Sequence, residues 1–301
     1  MQNESAQFHK IFTALGTVNT LTVFSEADKP ALILSKDRIM DIHRRFSAFS
    51  ADSEISAVNR AAGKHAVIVS EDLFSLIEAS LQLSEITEGA FDITSGASAL
   101  LWKKAIKTMR MPSSAEIEAA AALTSYKDVT LSRKDLSVML GREGQRIDLG
   151  AIAKGFAAME ARRVLTQSGV EKAVIDLGGT IIPVGTEKRI GLQRPFAKKG
   201  ETFMEIKSCG DAVVTSGIYE QYTLIDGAAV HHLTDPRTGY LADNGIISAT
   251  LTGPDAAVLD ALATASLILE PGRLPAIYEG QVKSAVLVTR NGEIYTYGGK
   301  Q

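Results

Sequence analysis

Three short stretches concentrate the side chains able to do chemistry. The densest is His231-His-Leu-Thr-Asp-Pro-Arg-Thr-Gly239, at the end of a β-rich run. An imidazole titrates near neutral pH, so His232 is a candidate general base for a hydroxyl. Asp235 before Pro236, and Thr238-Gly239, read equally as turn-forming residues. His231 would point to the opposite side of a strand and is read as structural. In Asp255-Ala-Ala-Val-Leu-Asp-Ala-Leu-Ala-Thr264, Asp260 and Thr264 lie four apart and share one face of a helix. A carboxylate on an otherwise apolar helix needs a cation or several donors. A carboxylate, a hydroxyl and a backbone carbonyl suit Mg2+, which prefers hard oxygen ligands and keeps positions for phosphate. The alternative is that Asp260 only hydrogen-bonds within the fold. The third stretch is Ile147-Asp-Leu-Gly-Ala-Ile-Ala-Lys-Gly-Phe156. It reads as a strand running through glycine into a helix, with Asp148 before the turn and Lys154 after it. Glycine lets backbone approach a ligand, a helix N-terminus attracts phosphate, and Lys154 would add a point charge. A solvated Asp148–Lys154 pair is the plain structural alternative. Two further strand ends, Asp176-Leu-Gly-Gly179 and Thr215-Ser-Gly217, could set amides against a phosphate or simply turn the chain.

The elements that must position these residues are legible from periodicity. Residues 17–24 are β-branched and read as a strand. From Pro30 to Phe49, apolar residues Leu32, Ile39, Ile42, Phe46 and Phe49 recur at helical spacing. A second helix opens at the N-cap Ser70 and closes at Gly89. Ser113 and Glu116 form a capping-box pattern. A further helix is expected over residues 153–168, stopped by Gly169. Downstream, strands are expected at 173–177, 189–193, 204–207, 212–215, 222–225, 228–233 and 246–252. Asp226-Gly227 and Asn291-Gly292 are hairpin signals, the latter between strands at 285–289 and 293–297. Pro254 opens a helix to about Leu269. Hairpins mixed with helices, without a βαβ rhythm, predict an α+β fold with largely antiparallel sheets. No internal repeat or linker is visible, so residues 1–301 are expected to form one unit, with two lobes around a cleft.

Composition narrows the classes. The chain has 301 residues, 45% hydrophobic and 22% charged, ordinary for a globular protein. Lys plus Arg is 32 against 35 acidic residues, a net charge of −3, so no nucleic-acid partner is indicated. Cys209 is the only cysteine, which rules out an intrachain disulfide and a thiolate cluster. No run reaches the roughly 18 apolar residues of a membrane span. The polar Met1-Gln-Asn-Glu-Ser start lacks a signal-peptide apolar region, so the expected location, for the sequence as written, is the cytoplasm.

Taken together, these segments resemble the ApbE family of FAD:protein FMN transferases. The matching order is Gly16-Thr17, Phe46 to Asn59, Gly89-Ala-Phe-Asp-Ile-Thr94, Ile147 to Phe156, Asp176 to Gly179, Thr215 to Glu220, His232 to Gly239, and Asp260 to Thr264. The resemblance implies an ApbE-like α+β fold with a flavin cleft. It also implies FAD contacts at Leu15, Phe49, Ala90, Phe91, Asp92, Asp148, Lys154 and Thr234. Magnesium ligands are implied at Asp260, Thr264 and the carbonyl of Ala151. If that carbonyl binds metal, the helix after it should begin a residue or two later than 153. The implied reaction uses Mg2+ and takes FAD as substrate. His232 deprotonates a threonine hydroxyl of an acceptor flavoprotein, FMN is transferred and AMP leaves. The implied acceptor motif is of the Ser/Thr-Gly-Ala-Ser/Thr-x-Thr type.

Several positions depart from the family pattern. Leu15 replaces a frequent Met, Phe49 a Tyr, and Gln221 a common basic residue. Ser95-Gly-Ala-Ser98 resembles the start of an acceptor motif, but Leu100 stands where the threonine would be, so self-modification is not expected. Two other functions use the same residues: a metal-dependent FAD pyrophosphatase, and a non-catalytic flavin-binding protein. The latter would be expected to lose His232, Asp260 or Thr264, and this chain keeps all three.

Overall fold

Residues 246–253 are buried along their whole length, which makes this strand the middle of the main sheet rather than an edge. The computed structural model describes residues 6–198, 200–220 and 222–298. The strands are β1 (Phe8–Ala14), β2 (Thr17–Val23), β3 (Val67–Ile68), β4 (Val129–Ser132), β5 (Ser137–Leu140), β6 (Ala173–Asp176), β7 (Thr180–Val184), β8 (Lys188–Gln193), β9 (Thr202–Ser208), β10 (Ala212–Gly217), β11 (Tyr222–Ile225), β12 (Ala228–His231), β13 (Ile246–Gly253), β14 (Ser284–Thr289) and β15 (Ile294–Gly298). The helices are α1 (Lys29–Phe46), α2 (Glu54–Arg60), α3 (Glu71–Ile86), α4 (Gly96–Thr108), α5 (Ser114–Ala121), α6 (Ala153–Gln167), α7 (Ala256–Ser266) and α8 (Leu274–Tyr278).

An eight-stranded sheet runs in the order β1-β2-β6-β7-β10-β13-β14-β15. Its pairings are antiparallel throughout. Smaller sheets join β3-β5-β4, β8-β9 and β11-β12. The α+β expectation holds. Helices α1, α6 and α7 pack in sequence, α6 between the other two, and their apolar faces share one core with the main sheet. Around the outer side of α1, Arg38 and Arg45 knit Asp41, Glu54, Asp72 and Glu160 into one ion network that joins α1 to α3 and α6.

Local signals behave as their chemistry dictates. Ser70 caps α3 through its side chain, and Ser113 and Glu116 form a reciprocal capping box on α5. The expected hairpin turns at Asp226-Gly227 and Asn291-Gly292 are present. Four expectations need correction. The first helix ends at Phe46, where Ser47 turns extended (ψ 119°), so Phe49 lies outside it. The strand expected at 228–233 ends at His231, and the late helix starts at Ala256 because Asp255, not Pro254, caps it. No strand precedes the glycine of the 147–156 stretch: Asn59 exchanges hydrogen bonds with the Ile147 backbone (2.7 and 3.0 Å) in the place of a neighbouring strand.

Candidate active site

The site is built on a close crossing of α6 and α7. A Cβ on Gly155 would sit 2.1 Å from the Ala256 carbonyl oxygen, so only glycine permits this approach. The crossing carries Asp260 of α7 against the first turn of α6. Asp260 is fully buried, as expected of a carboxylate on an apolar helix that has found donors. It accepts from Lys154 Nζ at 3.0 and 3.3 Å and from the Gly155 backbone amide at 3.1 Å. Burial works against the Lys154 ammonium, yet the Asp260 charge beside it, aided by Glu220, lifts its pKa above the ordinary lysine value.

The Gly155 amide would normally bond to the carbonyl four residues back, that of Ala151. Because it bonds to Asp260, the Ala151 carbonyl accepts no backbone amide among the described residues. The helix nevertheless begins at Ala153, so the later start expected above is not observed. The carbonyl is released by redirecting one amide rather than by shortening the helix. One turn along α7, Thr264 Oγ1 donates to the Asp260 carbonyl at 3.2 Å, and its lone pairs remain available.

These donors fit a magnesium ion: one carboxylate, one hydroxyl and one released carbonyl, all oxygen. Among the described residues no three His, Cys, Asp or Glu side chains gather as a metal cluster. A single carboxylate is the pattern for Mg2+, which retains waters and substrate phosphates, rather than for Zn2+.

Glu220 was not singled out from the sequence, and the structure brings it to this site. Crowding around its carboxyl pushes its pKa up to about 7; Lys154 opposes the rise and Asp260 adds to it. The residue as a whole stays open to solvent. Only its position three residues after Gly217 hinted at it. Gln221, beside it, lies outside the described residues.

The other expected positions divide by how they present themselves. Asp148 Oδ1 accepts from the Gly150 amide at 2.8 Å, a local turn that shapes the entry to α6. Ala90 and Phe91 are buried, and their backbone amides donate to the Thr87 carbonyl (3.0 Å) and hydroxyl (3.1 Å). The Asp92 carboxylate accepts from Thr94 (2.7 Å, backbone and hydroxyl) and from the Tyr126 amide (2.9 Å). Burial raises its pKa despite those bonds. Phe49 is 60% exposed, with the Lys103 ammonium 3.4 Å from its ring centroid. Leu15 occupies a left-handed turn position (φ 53°) between β1 and β2, and Thr234 is buried and bridged to Leu241.

His232 follows directly on β12, half-buried. The loop beyond it is tied together by hydrogen bonds. Asp235 accepts from the Arg237 guanidinium (2.7 and 2.9 Å), and its backbone accepts from the Gly239 amide at 2.8 Å. Buried Trp102 of α4 donates to the Gly239 carbonyl at 2.8 Å. Asp235 therefore serves the turn, as its plain reading has it. His231 is buried, and desolvation with the neighbouring His232 pulls its pKa down to about 4, so it is neutral at pH 7.

The sequence profile of the ApbE family matches residues 15–288. The chain belongs to the ApbE family. It is 38% identical over 246 residues to an FAD:protein FMN transferase of Klebsiella pneumoniae, covering 81% of this chain and 77% of that one. It is 29% identical over 288 residues to an FAD:protein FMN transferase of Treponema pallidum, covering 87% and 79%. The crystal structure of the ApbE protein of Thermotoga maritima superposes with a TM-score of 0.89 at 31% identity, over 96% of each chain. The Vibrio cholerae flavin transferase ApbE (TM-score 0.82, 22% identity) shares the fold. As a member of the ApbE family the chain is a transferase. No helix among the described residues is long and apolar enough to cross a membrane.

Proposed function

We propose that this chain moves the FMN half of FAD onto a threonine hydroxyl of an acceptor flavoprotein and releases AMP, with Mg2+ bound at Asp260, Thr264 and the Ala151 carbonyl. The observation that carries the reading is the redirected Gly155 amide, which frees a carbonyl beside a buried carboxylate. An ordinary helix start has no use for such an arrangement, and an oxygen-only cation site explains it. When bound, the metal supplies charge neutralisation on the pyrophosphate. His232 takes the proton of the attacking hydroxyl, whose oxygen bonds to the FMN phosphorus. The bond from that phosphorus to the bridging oxygen breaks, and AMP departs with the oxygen and its electron pair. Lys154, adjacent to the same carboxylate, is suited to hold a phosphate oxygen once Asp260 is engaged elsewhere. Asp148 shapes the turn, while Phe49, Leu15, Thr234 and the backbone of residues 90–92 line the flavin side.

The test is to follow AMP release from FAD with and without an acceptor protein bearing the Ser/Thr-Gly-Ala-Ser/Thr-x-Thr motif. Release that depends on acceptor, and stops with EDTA, supports the transferase. Equal release without acceptor, with free FMN accumulating, would replace it by a pyrophosphatase.

A further inference from the structure

The hairpin that delivers His232 has an outer face the chemistry above does not use. β11 and β12 pair only with each other among the described residues. Their inner face is anchored: Ile225 and Val230 are buried in a cluster with Trp102 of α4. The outer face is different. Tyr222 and Leu224, two apart and so on one side of the strand, are 50% and 59% exposed.

The backbone register adds a second, independent feature. The two-residue turn Asp226-Gly227 closes between Ile225 and Ala228, and in such hairpins the flanking pair exchanges hydrogen bonds inward. Bonding alternates along the ladder, so Thr223 also bonds inward while the amides and carbonyls of Tyr222 and Leu224 point away from β12. An edge with outward-facing bonding groups is a template for an extended peptide. Tyr222 lies directly across from His231, so the Tyr222 end of this edge is separated by the width of β11 from the residue that precedes His232. A strand added beside β11 would run about 10 Å from the β12 backbone, within two or three extended residues of the base.

One more element is aimed here. Phe196, between β8 and β9, holds a left-handed conformation (φ 59°), which is costly for a bulky residue. Its ring stands edge-on to Tyr222 (centroids 5.4 Å, 86°) and also meets Tyr219 (5.8 Å), the neighbour of Glu220. It props the Tyr222 ring between the hairpin and the segment that leads to Glu220.

We infer that the free edge of β11, with Tyr222 and Leu224, docks an extended segment of the acceptor protein and feeds its hydroxyl to His232. This rests on the transferase reading and adds how the protein substrate is held. Backbone pairing would give affinity with little demand on sequence, and the Phe196–Tyr222 wall would favour small side chains next to the reacting hydroxyl.

The experiment compares wild type with Leu224→Pro, which removes one outward amide at an edge position where proline is tolerated, and with Tyr222→Ala/Leu224→Ser, which keeps that amide. Acceptor KM, FAD Kd and the rate at saturating acceptor are measured, with Tm as a folding check. The expected result is a rise in acceptor KM of about tenfold for Leu224→Pro, the order of one lost hydrogen bond, and a rise of similar order for Tyr222→Ala/Leu224→Ser from lost apolar contact, with FAD Kd and the saturated rate unchanged in both. Unchanged acceptor KM in a folded variant overturns the docking edge. A parallel loss of FAD affinity also overturns it and assigns the patch to the nucleotide. If wild type binds FAD yet loads no acceptor, the transferase reading falls and the docking edge with it.

Discussion

Removing the Asp260 carboxylate should cost stability as well as activity, and the size of the cost follows from its partners. Asp260 is fully buried and holds two donors, the Lys154 ammonium and the Gly155 amide. Truncation to alanine strands a cation beside a low-dielectric core, which typically costs about 3–5 kcal/mol when the partner is removed from a buried pair. The Lys154 side chain keeps 18% exposure and can lean toward water, which places the expected loss near the lower end, at about 3 kcal/mol. The Gly155 amide is freed to return to the Ala151 carbonyl and recovers part of its own bond. Lys154→Met removes the orphaned charge, so Asp260→Ala/Lys154→Met should be less destabilised than the sum of the single variants, by about 1–3 kcal/mol. Urea unfolding of the four proteins in EDTA measures this cycle, and Mg2+ titration of the folded variants measures the metal site separately. Simple additivity, or a wild-type-like midpoint for Asp260→Ala, would refute the contact on which the site is built.

Other outcomes follow from neighbouring features. His232→Ala should reduce transfer by about 100-fold or more with FAD Kd little changed; equal losses in both would make His232 a binding residue. His231 is buried neutral, with a folded pKa of about 4 against 6.5 unfolded. Its depressed pKa means full stability above pH 6.5 and loss as pH falls toward 4, by about 3 kcal/mol in all. A His231→Phe variant should lose that part of the slope in a pH series of urea midpoints, and an unchanged slope would contradict the burial argument. Gly155→Ala should separate α6 from α7, because the added Cβ meets the Ala256 carbonyl at 2.1 Å. Its Tm should drop by several degrees and Mg2+ binding should weaken; a neutral substitution would mean the helices can part freely.

Much of the positioning framework was legible because its signals are local. Caps at Ser70 and Ser113 and turns at Asp226-Gly227 and Asn291-Gly292 act within a few residues, and each appears where its chemistry puts it. The strand β1 was missed because its turn uses Leu15 in a left-handed conformation, which no turn rule for leucine anticipates. Helix α4 has no side-chain cap from Ser95 to announce it. Helix α2, though capped by Ser53, is a short segment without a long apolar stripe. In the site, residue types were readable but partnerships were not. Lys154 looked like a partner for phosphate or for Asp148; only the α6–α7 crossing reveals Asp260, 106 residues away, as its counter-charge. Glu220 joins this charge group through long-range packing as well, and a lone glutamate just past a strand carries no local mark of that.

The most direct measurement is the intact mass of an acceptor protein carrying the threonine motif after incubation with this chain, FAD and Mg2+. A mass gain of one FMN per acceptor is expected, absent with EDTA and absent when Asp260→Asn replaces wild type. An acceptor of unchanged mass, while FAD is consumed or merely bound, would contradict the proposed transfer.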